Sequence, residues 1–458
     1  MKNKILLIVI ALTLGQSTIA SATNWFQLQN NEAPGAPAYK LWGFIQPQFV
    51  HNEGGSVNGI TAPAGLAAYN GQTPIFNQVG PDQGYRDQAQ IFRARPGVRG
   101  TIPGTDDQIN YFVLAELGNN GLTREKPAVL TDTSVTFNQI PGARVRAGLG
   151  RLPLGEEAML GEPAMDYINF TNVTDNLLNE RFVIPYASSR AHAPVLGVQL
   201  KQSKVSGPVG AFRDVGIEIY DWFNQDQWEY AYALMASQGN GVSFDTNANS
   251  GNHDITGRLQ ASYIFAGKGP KREDLTVFAW RQTGDRLYSG SNYSRLREGF
   301  GAKYLQGSLR LSGEYIQGKG MIFVGSNPPF KDVGGTAFEP VDQMAVEFSN
   351  EAKGYYLDAG WKFDPQWEAD LRYDMLDKMS NSEFDERIAT TWTIGGQYFY
   401  SPALRFIANF EFRRLTVPNP NATGTTGSAL QQQTQLQDAS IIANSIGNRL
   451  SLQLTYQF

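Results

Sequence analysis

The sequence predicts an all-β protein, a transmembrane antiparallel β-barrel of about sixteen strands with short periplasmic turns and long extracellular loops. Three observations support this prediction: the chain ends in an amphipathic strand, it begins with an export signal, and short and long connections alternate between its predicted strands. Outer-membrane barrels combine these features, because their strands alternate apolar and polar side chains and their turns are short at one rim only.

The last ten residues show the most regular alternation in the sequence. Their apolar side chains fall on one face of an extended strand and their polar side chains on the other, because side chains alternate with a period of two. The apolar face carries Tyr456 and the terminal Phe458, and aromatic residues favour the membrane–water interface. Taken alone, this strand leaves open the terminal strand of a soluble β-sandwich.

Residues 1–22 have the pattern of a secretory signal peptide. Two lysines precede an apolar run over 5–14, and small residues at 20–22 form a cleavage site. The apolar run is shorter than the ~20 residues that a membrane-spanning helix needs. We therefore expect cleavage before Thr23 and an N-terminal tether over 23–39 that has no domain of its own.

Composition excludes several classes of protein and of site. The chain has no cysteine and a formal net charge of −5, which argues against a disulfide scaffold, a cysteine metal site and a nucleic-acid binder. Its three histidines are dispersed, and no Gly-x-Ser-x-Gly motif is present. We therefore expect no catalytic residues, no metal site and no cofactor.

The alternation of side chains predicts a barrel over residues 40–458. Pro47 lies inside the first strand and cannot donate a ladder hydrogen bond, so we expect a bulge or a strand end there. Connections alternate between short ones, such as 139–143 and 400–402, and long ones, such as 51–89 and 414–447. A soluble sandwich has no reason to keep this alternation. The predicted strands are 40–50, 91–100, 109–117, 128–138, 144–152, 213–223, 228–237, 254–265, 275–283, 297–305, 308–317, 354–363, 367–376, 389–399, 403–413 and 448–458.

The faces opposite the apolar ones are rich in arginine, whose planar fork suits carboxylate and phosphate oxygens. Two interpretations are open. The arginines form a basic track that draws anions through a pore, or they pair with acids such as Glu116 and Asp132 in a pore without strong anion preference. The residues expected to line the pore and contact anions are Arg93, Arg95, Arg99, Arg144, Arg146, Arg258, Lys303 and Arg310.

Residues 153–212 are too long for a simple connection, and loops of such length are usually functional or disordered. The segment mixes apolar and charged residues, so we expect it to pack inside the barrel as a constriction loop with its acids facing the basic wall. The residues expected to act there are Glu156, Glu157, Glu162, Arg181 and Arg190.

Two stretches resemble the phosphate-selective porin O and P family. They are Phe92-Arg-Ala-Arg-Pro-Gly-Val-Arg-Gly100 and Arg144-Val-Arg-Ala-Gly-Leu-Gly-Arg-Leu-Pro-Leu-Gly-Glu156. The following stretches Gly210-Ala-Phe-Arg-Asp-Val-Gly-Ile-Glu-Ile219 and Tyr230-Ala-Tyr232 are similar to that family's next two strands.

This resemblance implies a porin in the outer membrane of a Gram-negative bacterium, usually a homotrimer surrounded by lipid and lipopolysaccharide. It implies a water-filled channel for small hydrophilic solutes, with a mild preference for anions such as phosphate. The alternative is a structural or adhesive barrel whose loops bind a partner surface.

Overall fold

The computed structural model describes 24–26, 31–33, 35–55, 58–59, 87–120, 122–123, 127–179, 212–239, 241, 253–267, 272–288, 291–323, 344–424 and 427–458, and the backbone of 182–185 and 203–206. The predicted signal peptide lies outside these residues. Within them, no helix combines the length and apolar character needed to cross a membrane.

Sixteen strands form one closed barrel in chain order, and the last strand pairs with the first. The strands of the described residues are β1 (Lys40–Asn52), β2 (Asp87–Thr101), β3 (Ile109–Glu116), β4 (Val129–Phe137), β5 (Arg144–Arg151), β6 (Phe182–Pro185), β7 (Ser203–Ser206), β8 (Arg213–Gln225), β9 (Trp228–Ser237), β10 (His253–Ala266), β11 (Glu273–Tyr288), β12 (Ser291–Gln306), β13 (Leu309–Lys319), β14 (Ile322–Phe323), β15 (Met344–Ala345), β16 (Glu351–Asp364), β17 (Trp367–Lys378), β18 (Arg387–Ser401), β19 (Leu404–Thr416) and β20 (Arg449–Gln457).

The predicted fold class is confirmed, and each predicted strand has its counterpart in the barrel. The strands β11 and β12 extend well beyond their predicted ranges and are separated by residues 289–290 only. The pairs β6–β7 and β14–β15 form separate small sheets, so they do not change the strand count. The register between β1 and β2 shifts at Gln46/Pro47, where the proline predicted a bulge.

The side chains that point away from the barrel axis are mostly apolar. Leu259 and Leu357 lie in the middle of strands and are 68% and 59% exposed, whereas Arg258, beside Leu259, is 2% exposed. At the short-turn rim, aromatic rings form a contiguous row, as at a membrane–water interface. The row contains Phe223, Trp228, Tyr230, Tyr263, Phe265 and Tyr304. The barrel therefore presents its apolar face to lipid and its charged face to the lumen.

The long connections all lie at one rim, as predicted, although the two-residue connection between β11 and β12 also lies there. Residues 226–227, 307–308, 365–366 and 402–403 connect strands at the short-turn rim. At the other rim, residues 417–448 contain the helix α2 (Ala429–Asn444), which the sequence analysis did not predict. Its N-terminus carries a capping box in which the side chains of Ser428 and Gln431 bond each other's backbone N–H.

Residues 152–179, here called the inward segment, fold into the barrel. They contain α1 (Glu156–Met159), a 3-10 turn (Glu162–Ala164) and a π-helical turn (Thr174–Leu178). The apolar side chains of Leu154 and Val173 are fully buried and pack in one cluster with Phe278, Trp280 and Tyr356 of the barrel wall. This cluster is a hydrophobic core inside the lumen, so the wall holds the inward segment in a defined position.

Candidate functional site

The inward segment crosses the lumen and contacts distant parts of the wall. Glu162 accepts a hydrogen bond from Arg95 on β2, at 2.5 Å. Arg405 on β19 donates to the carbonyl oxygens of Pro163 and Met165, at 2.6 and 2.7 Å. Further along the segment, Arg297 on β12 donates to the carbonyl of Leu177, at 2.9 Å. The segment therefore narrows the lumen from side to side.

Glu162 lies at the centre of the first charged group, here called the Glu162 cluster. Its carboxylate accepts hydrogen bonds from Arg95 and Arg151, both at 2.5 Å, and from Arg213 at 3.3 Å. Burial alone would raise the pKa of Glu162, but Arg151, Arg95 and Arg213 hold it well below its usual range. Arg95 also pairs with Glu116, and Arg213 pairs with Asp132.

Arg310 on β13 lies at the centre of the second group, here called the Arg310 cluster. Its guanidinium contacts Asp358 and Asp370 at 2.6 Å, Glu368 at 3.1 Å and Asp166 of the inward segment at 3.3 Å. One cation therefore meets four carboxylates. Such a planar fork can bond several carboxylate oxygens at once.

The two clusters lie on opposite walls. The arginines of the Glu162 cluster are on β2, β5 and β8, which are second, fifth and sixth in the ring of sixteen strands. The Arg310 cluster is on β13, β16 and β17, the eleventh to thirteenth strands. These positions are half the barrel circumference apart. With Glu116 and Asp132, the first cluster balances three guanidinium groups against three carboxylates, whereas the second sets four carboxylates against Arg310. The distribution of charge therefore differs between the two sides of the lumen.

Glu156, at the start of α1, fixes the inward segment to a third part of the wall, formed by β10 and β12. It accepts hydrogen bonds from Lys303 and Arg258 at 2.9 Å and from the indole of Trp25 at 2.8 Å. Burial would raise the pKa of Glu156, but Lys303 and Arg258 outweigh it and lower the pKa to about 2. A Cβ at Gly155 would collide with the carboxylate of Glu314, so a larger residue here would require that side chain to move.

Glu157 faces Arg372 of β17, at 3.3 Å, and accepts hydrogen bonds from Thr171. Here burial outweighs the neighbouring cation and raises the pKa of Glu157. The guanidinium of Arg372 also stacks on Tyr167, 4.3 Å from the ring centroid. This contact links the inward segment to the acidic side of the barrel.

A small cavity of about 50 Å³ lies between the inward segment and the wall formed by β12, β13, β16 and β17. Cations and carboxylates both line it, among them Lys303, Arg310 and Asp358. The hydroxyl of Tyr167 also lines it and has no hydrogen-bond partner among the described residues. The cavity is therefore a small gap beside the constriction, lined by apolar as well as charged side chains.

The remaining predicted residues have partners of their own. Arg146 pairs with Glu218 at 2.8 Å, and Arg93 donates to Gln46 at 2.9 Å. Arg99 and Arg144 form ion pairs with Glu32 and Asp221. Arg181 and Arg190 lie outside the described residues. The structure therefore brings Arg95 together with Glu162, with Arg93 near enough for its charge to act on that carboxylate. It also brings Arg258 and Lys303 together with Glu156, whereas Arg99, Arg144 and Arg146 pair with acids outside the inward segment.

Sequence reasoning missed several residues of the site. Alternation from Glu218 places Asp214 inside and Arg213 outside, yet Arg213 is buried in the Glu162 cluster. Arg151 and Asp166 were also missed, because strand alternation says nothing about residues at strand ends or in loops. Arg151 could have been found from the sequence, because it lies in the basic stretch that begins at Arg144.

The first described residues of the predicted N-terminal tether lie inside the barrel. Asn24 donates to Glu229 at 3.1 Å, and Phe26 packs against Tyr220 with ring centroids 6.0 Å apart. Trp25 contributes to the same buried cluster. Burying such an apolar side chain stabilises a structure by about 1.5–3 kcal/mol, so this segment is held by more than its hydrogen bonds.

Comparison with known proteins gave structural similarities only. No family model and no curated protein matches the chain. The outer membrane channel DcaP of Acinetobacter baumannii is similar over 94% of this chain and 99% of its own, with 11% identity and a TM-score of 0.49. OmpF of Salmonella typhi, in a complex with daunomycin, is similar over 92% and 97%, with 12% identity and a TM-score of 0.48.

The loop L8 deletion mutant of OmpT, an outer membrane protein of Vibrio cholerae, is similar over 92% of this chain and 99% of its own, with 9% identity and a TM-score of 0.48. Similarities at this level carry no argument about function. The location of the protein follows instead from features of the barrel itself. These are an even strand number, an apolar outer face with an aromatic rim, and short turns at one rim. These are the features of an outer-membrane protein of a Gram-negative bacterium.

Proposed function

We propose that the chain forms a channel for passive diffusion of small hydrophilic solutes across the outer membrane, with a mild preference for anions such as phosphate. The observation that carries this proposal is the pair of charged clusters on opposite walls beside the inward segment, one rich in arginine and the other in carboxylates. Charged groups that line a constriction select among permeating ions.

The preference is mild because the wall cations already have acidic partners. An anion that approaches Arg95 competes with Glu116 and Glu162, whose carboxylates lie within 2.6 Å of the guanidinium. Bidentate contact of arginine with phosphate oxygens is favourable, but it must replace these pairs. A neutral hydrophilic solute passes without breaking them, so we expect a broad range of small solutes.

The apolar outer face would contact lipid and lipopolysaccharide, and we propose that three copies associate in the membrane. A concave apolar region on β1, β2 and β17–β20, which includes Phe49, Ile91, Trp367 and Leu452, supports a contact between copies. Cross-linking in native membranes tests this proposal. A ladder that ends at three copies is expected, and a monomer alone would contradict it.

The test of the channel is the reversal potential in a planar bilayer across a KCl gradient. We expect a weak anion preference in the wild type and a loss of that preference when Arg93, Arg95 and Arg99 are together changed to Ala. Arg414→Ala is the control, because this side chain is exposed outside the lumen. Cation preference in the wild type would contradict the anion preference and leave a general pore.

A structural or adhesive barrel is the second candidate function. The inward segment favours it, because it touches the wall at β2, β12 and β19 and fills much of the lumen. Single-channel recording of the wild type distinguishes the two functions. A folded wild-type barrel that shows no single-channel events at any voltage would favour the adhesive function.

A further inference from the structure

The three residues Asn24–Phe26 occupy the lumen at the level of the constriction. Their side chains are 0%, 5% and 1% exposed, although they belong to no strand of the barrel. They pack between the inward segment and the wall, in a cluster with Met159 and Tyr220. An exported chain has no need to bury its N-terminal region in this place merely to close the barrel.

Asn24–Phe26 contacts both the inward segment and the barrel wall. Toward the inward segment, the indole N–H of Trp25 donates to Glu156 at 2.8 Å. Toward the wall, Asn24 donates to Glu229 of β9, and Lys303 of β12 lies 5.7 Å from the centre of the Trp25 ring. The segment therefore bridges the gap that would otherwise separate the inward segment from β8–β12.

The charged side chains of the wall beside Asn24–Phe26 are buried. Barrels of sixteen strands enclose an aqueous channel, so charged side chains on their inner wall should contact water. Lys303 and Arg258 are instead 6% and 2% exposed. Between β8 and β12, the N-terminal residues stand where the solvent of an open channel would be.

We propose that Asn24–Phe26 is a plug that closes the part of the lumen between the inward segment and β8–β12, and that its withdrawal opens a wider passage. This proposal rests on the channel function proposed above. The plug supplies the steric restriction, and the charged walls supply the selectivity.

The plug can leave without breaking the barrel. In the described part of the chain, its hydrogen bonds to the barrel and the inward segment come from the side chains of Asn24 and Trp25. The chain that follows is fastened at the short-turn rim, where Arg99 pairs with Glu32 and Thr101 N–H donates to Pro37 O at 3.2 Å. The plug is therefore tethered below the lumen and held within it mainly by two aromatic side chains.

The first test compares single-channel conductance of the full-length wild type and the double variant Trp25→Ala/Phe26→Ala. We expect about a twofold or larger rise in conductance, because the cross-section available to water increases. The matched control is Trp392→Ala/Phe412→Ala, a cross-strand pair on the lipid face. Equal conductance of wild type and plug variant would overturn the proposal.

The second test does not depend on conduction. The chain has no cysteine, so Ala231→Cys places a single thiol on β9, in the cluster that the plug covers. We expect a charged methanethiosulfonate reagent to label this thiol on the order of tenfold faster when Trp25 and Phe26 are Ala, because reaction requires access. Equal labelling rates would overturn the plug.

The two tests separate the two proposals. Faster labelling together with an absence of conductance in both proteins would overturn the channel function and retain the plug as a seal. Conductance in both proteins, with labelling and conductance unchanged by the double substitution, would retain the channel and overturn the plug.

Discussion

The Glu162 cluster and the Arg310 cluster are built from the same groups with the signs exchanged. In the first, one carboxylate meets three guanidinium groups; in the second, one guanidinium meets four carboxylates. Both central groups are buried. The comparison shows that one central charged group can hold several buried groups of the opposite sign together on the inner wall.

The clusters differ in how they respond to loss of the central group. Carboxyl groups can bind a proton and become neutral, but guanidinium groups stay charged at every accessible pH. An unbalanced acidic cluster can therefore relieve its repulsion, whereas an unbalanced arginine cluster cannot. Substitutions that remove the two central groups should therefore have different consequences for stability.

Glu162→Gln should destabilise the barrel by about 3–5 kcal/mol, the cost of leaving buried charge unpaired. Arg95 and Arg213 keep Glu116 and Asp132, so the loss falls mainly on Arg151, whose acidic partner among the described residues is Glu162. Urea unfolding of the barrel in detergent micelles measures the effect. Glu383→Gln, at an exposed loop position, is the control, and equal unfolding midpoints for the two variants would contradict the prediction.

Arg310→Gln should cost less at pH 7, about 1–3 kcal/mol. Carboxyl groups of this cluster such as Asp358 and Asp370 can bind protons once the guanidinium is gone. The folded variant then binds more protons than its unfolded chain, so its unfolding free energy should rise as the pH falls from 7 to 5. The same titration of Glu162→Gln should show no such recovery, and a recovery there would contradict the proposed difference.

Acid should leave the inward segment in place down to about pH 4, near the ordinary pKa of glutamate. The pKa of Glu156 is lowered to about 2 and that of Glu162 lies well below its usual range. A lowered pKa contributes stability above the unfolded-state value, and that stability is lost as the pH falls through the folded-state value. Unfolding free energy should therefore be retained to about pH 4 and fall towards pH 2.

Glu157 is the control for this pH dependence of unfolding, because burial raises its pKa. Glu157→Gln should leave the acid limb of the stability curve unchanged, whereas Glu156→Gln should flatten it. Loss of the inward segment's anchoring between pH 7 and 5, detected as a conductance rise in that range, would contradict the assignment of Glu156 and Glu162 as its anchors.

Asp358→Asn should produce the smallest effect, a shift of the reversal potential towards anions. It removes one of four carboxylates from the acidic wall and leaves the basic wall intact. The shift should be opposite in sign to that of the triple arginine variant. Ser401→Ala, in the short-turn rim, is the control, and a shift towards cations would contradict the transverse arrangement of charge.

The strands could be predicted from the sequence because every barrel strand meets lipid on one side and the lumen on the other. The range predicted for the strand over 228–237 agrees with β9, and 367–376 falls within β17. Periodicity failed where this environment ends. It missed α2, a mostly polar helix that does not show the two-residue alternation of the strands. It also underestimated β11 and β12, which extend beyond their predicted ranges.

Part of the candidate site was also predictable. Alternation assigned Arg95, Arg258, Lys303 and Arg310 to the inner wall, and their burial among polar groups agrees with that side. The length and composition of 153–212 predicted that the segment packs inside the barrel, and residues 152–179 do so. The partner of each arginine could not be predicted, because Arg95 and Glu162 are 67 residues apart in the chain.

By itself the sequence determined the fold class and the orientation of most strand residues, because a period of two sorts side chains between lipid and lumen without reference to the rest of the chain. The tertiary structure alone decided the two charged clusters on opposite walls and the place of Trp25 against Glu156. These contacts join residues on non-adjacent strands and in loops, which meet only when the barrel closes and the inward segment folds into it.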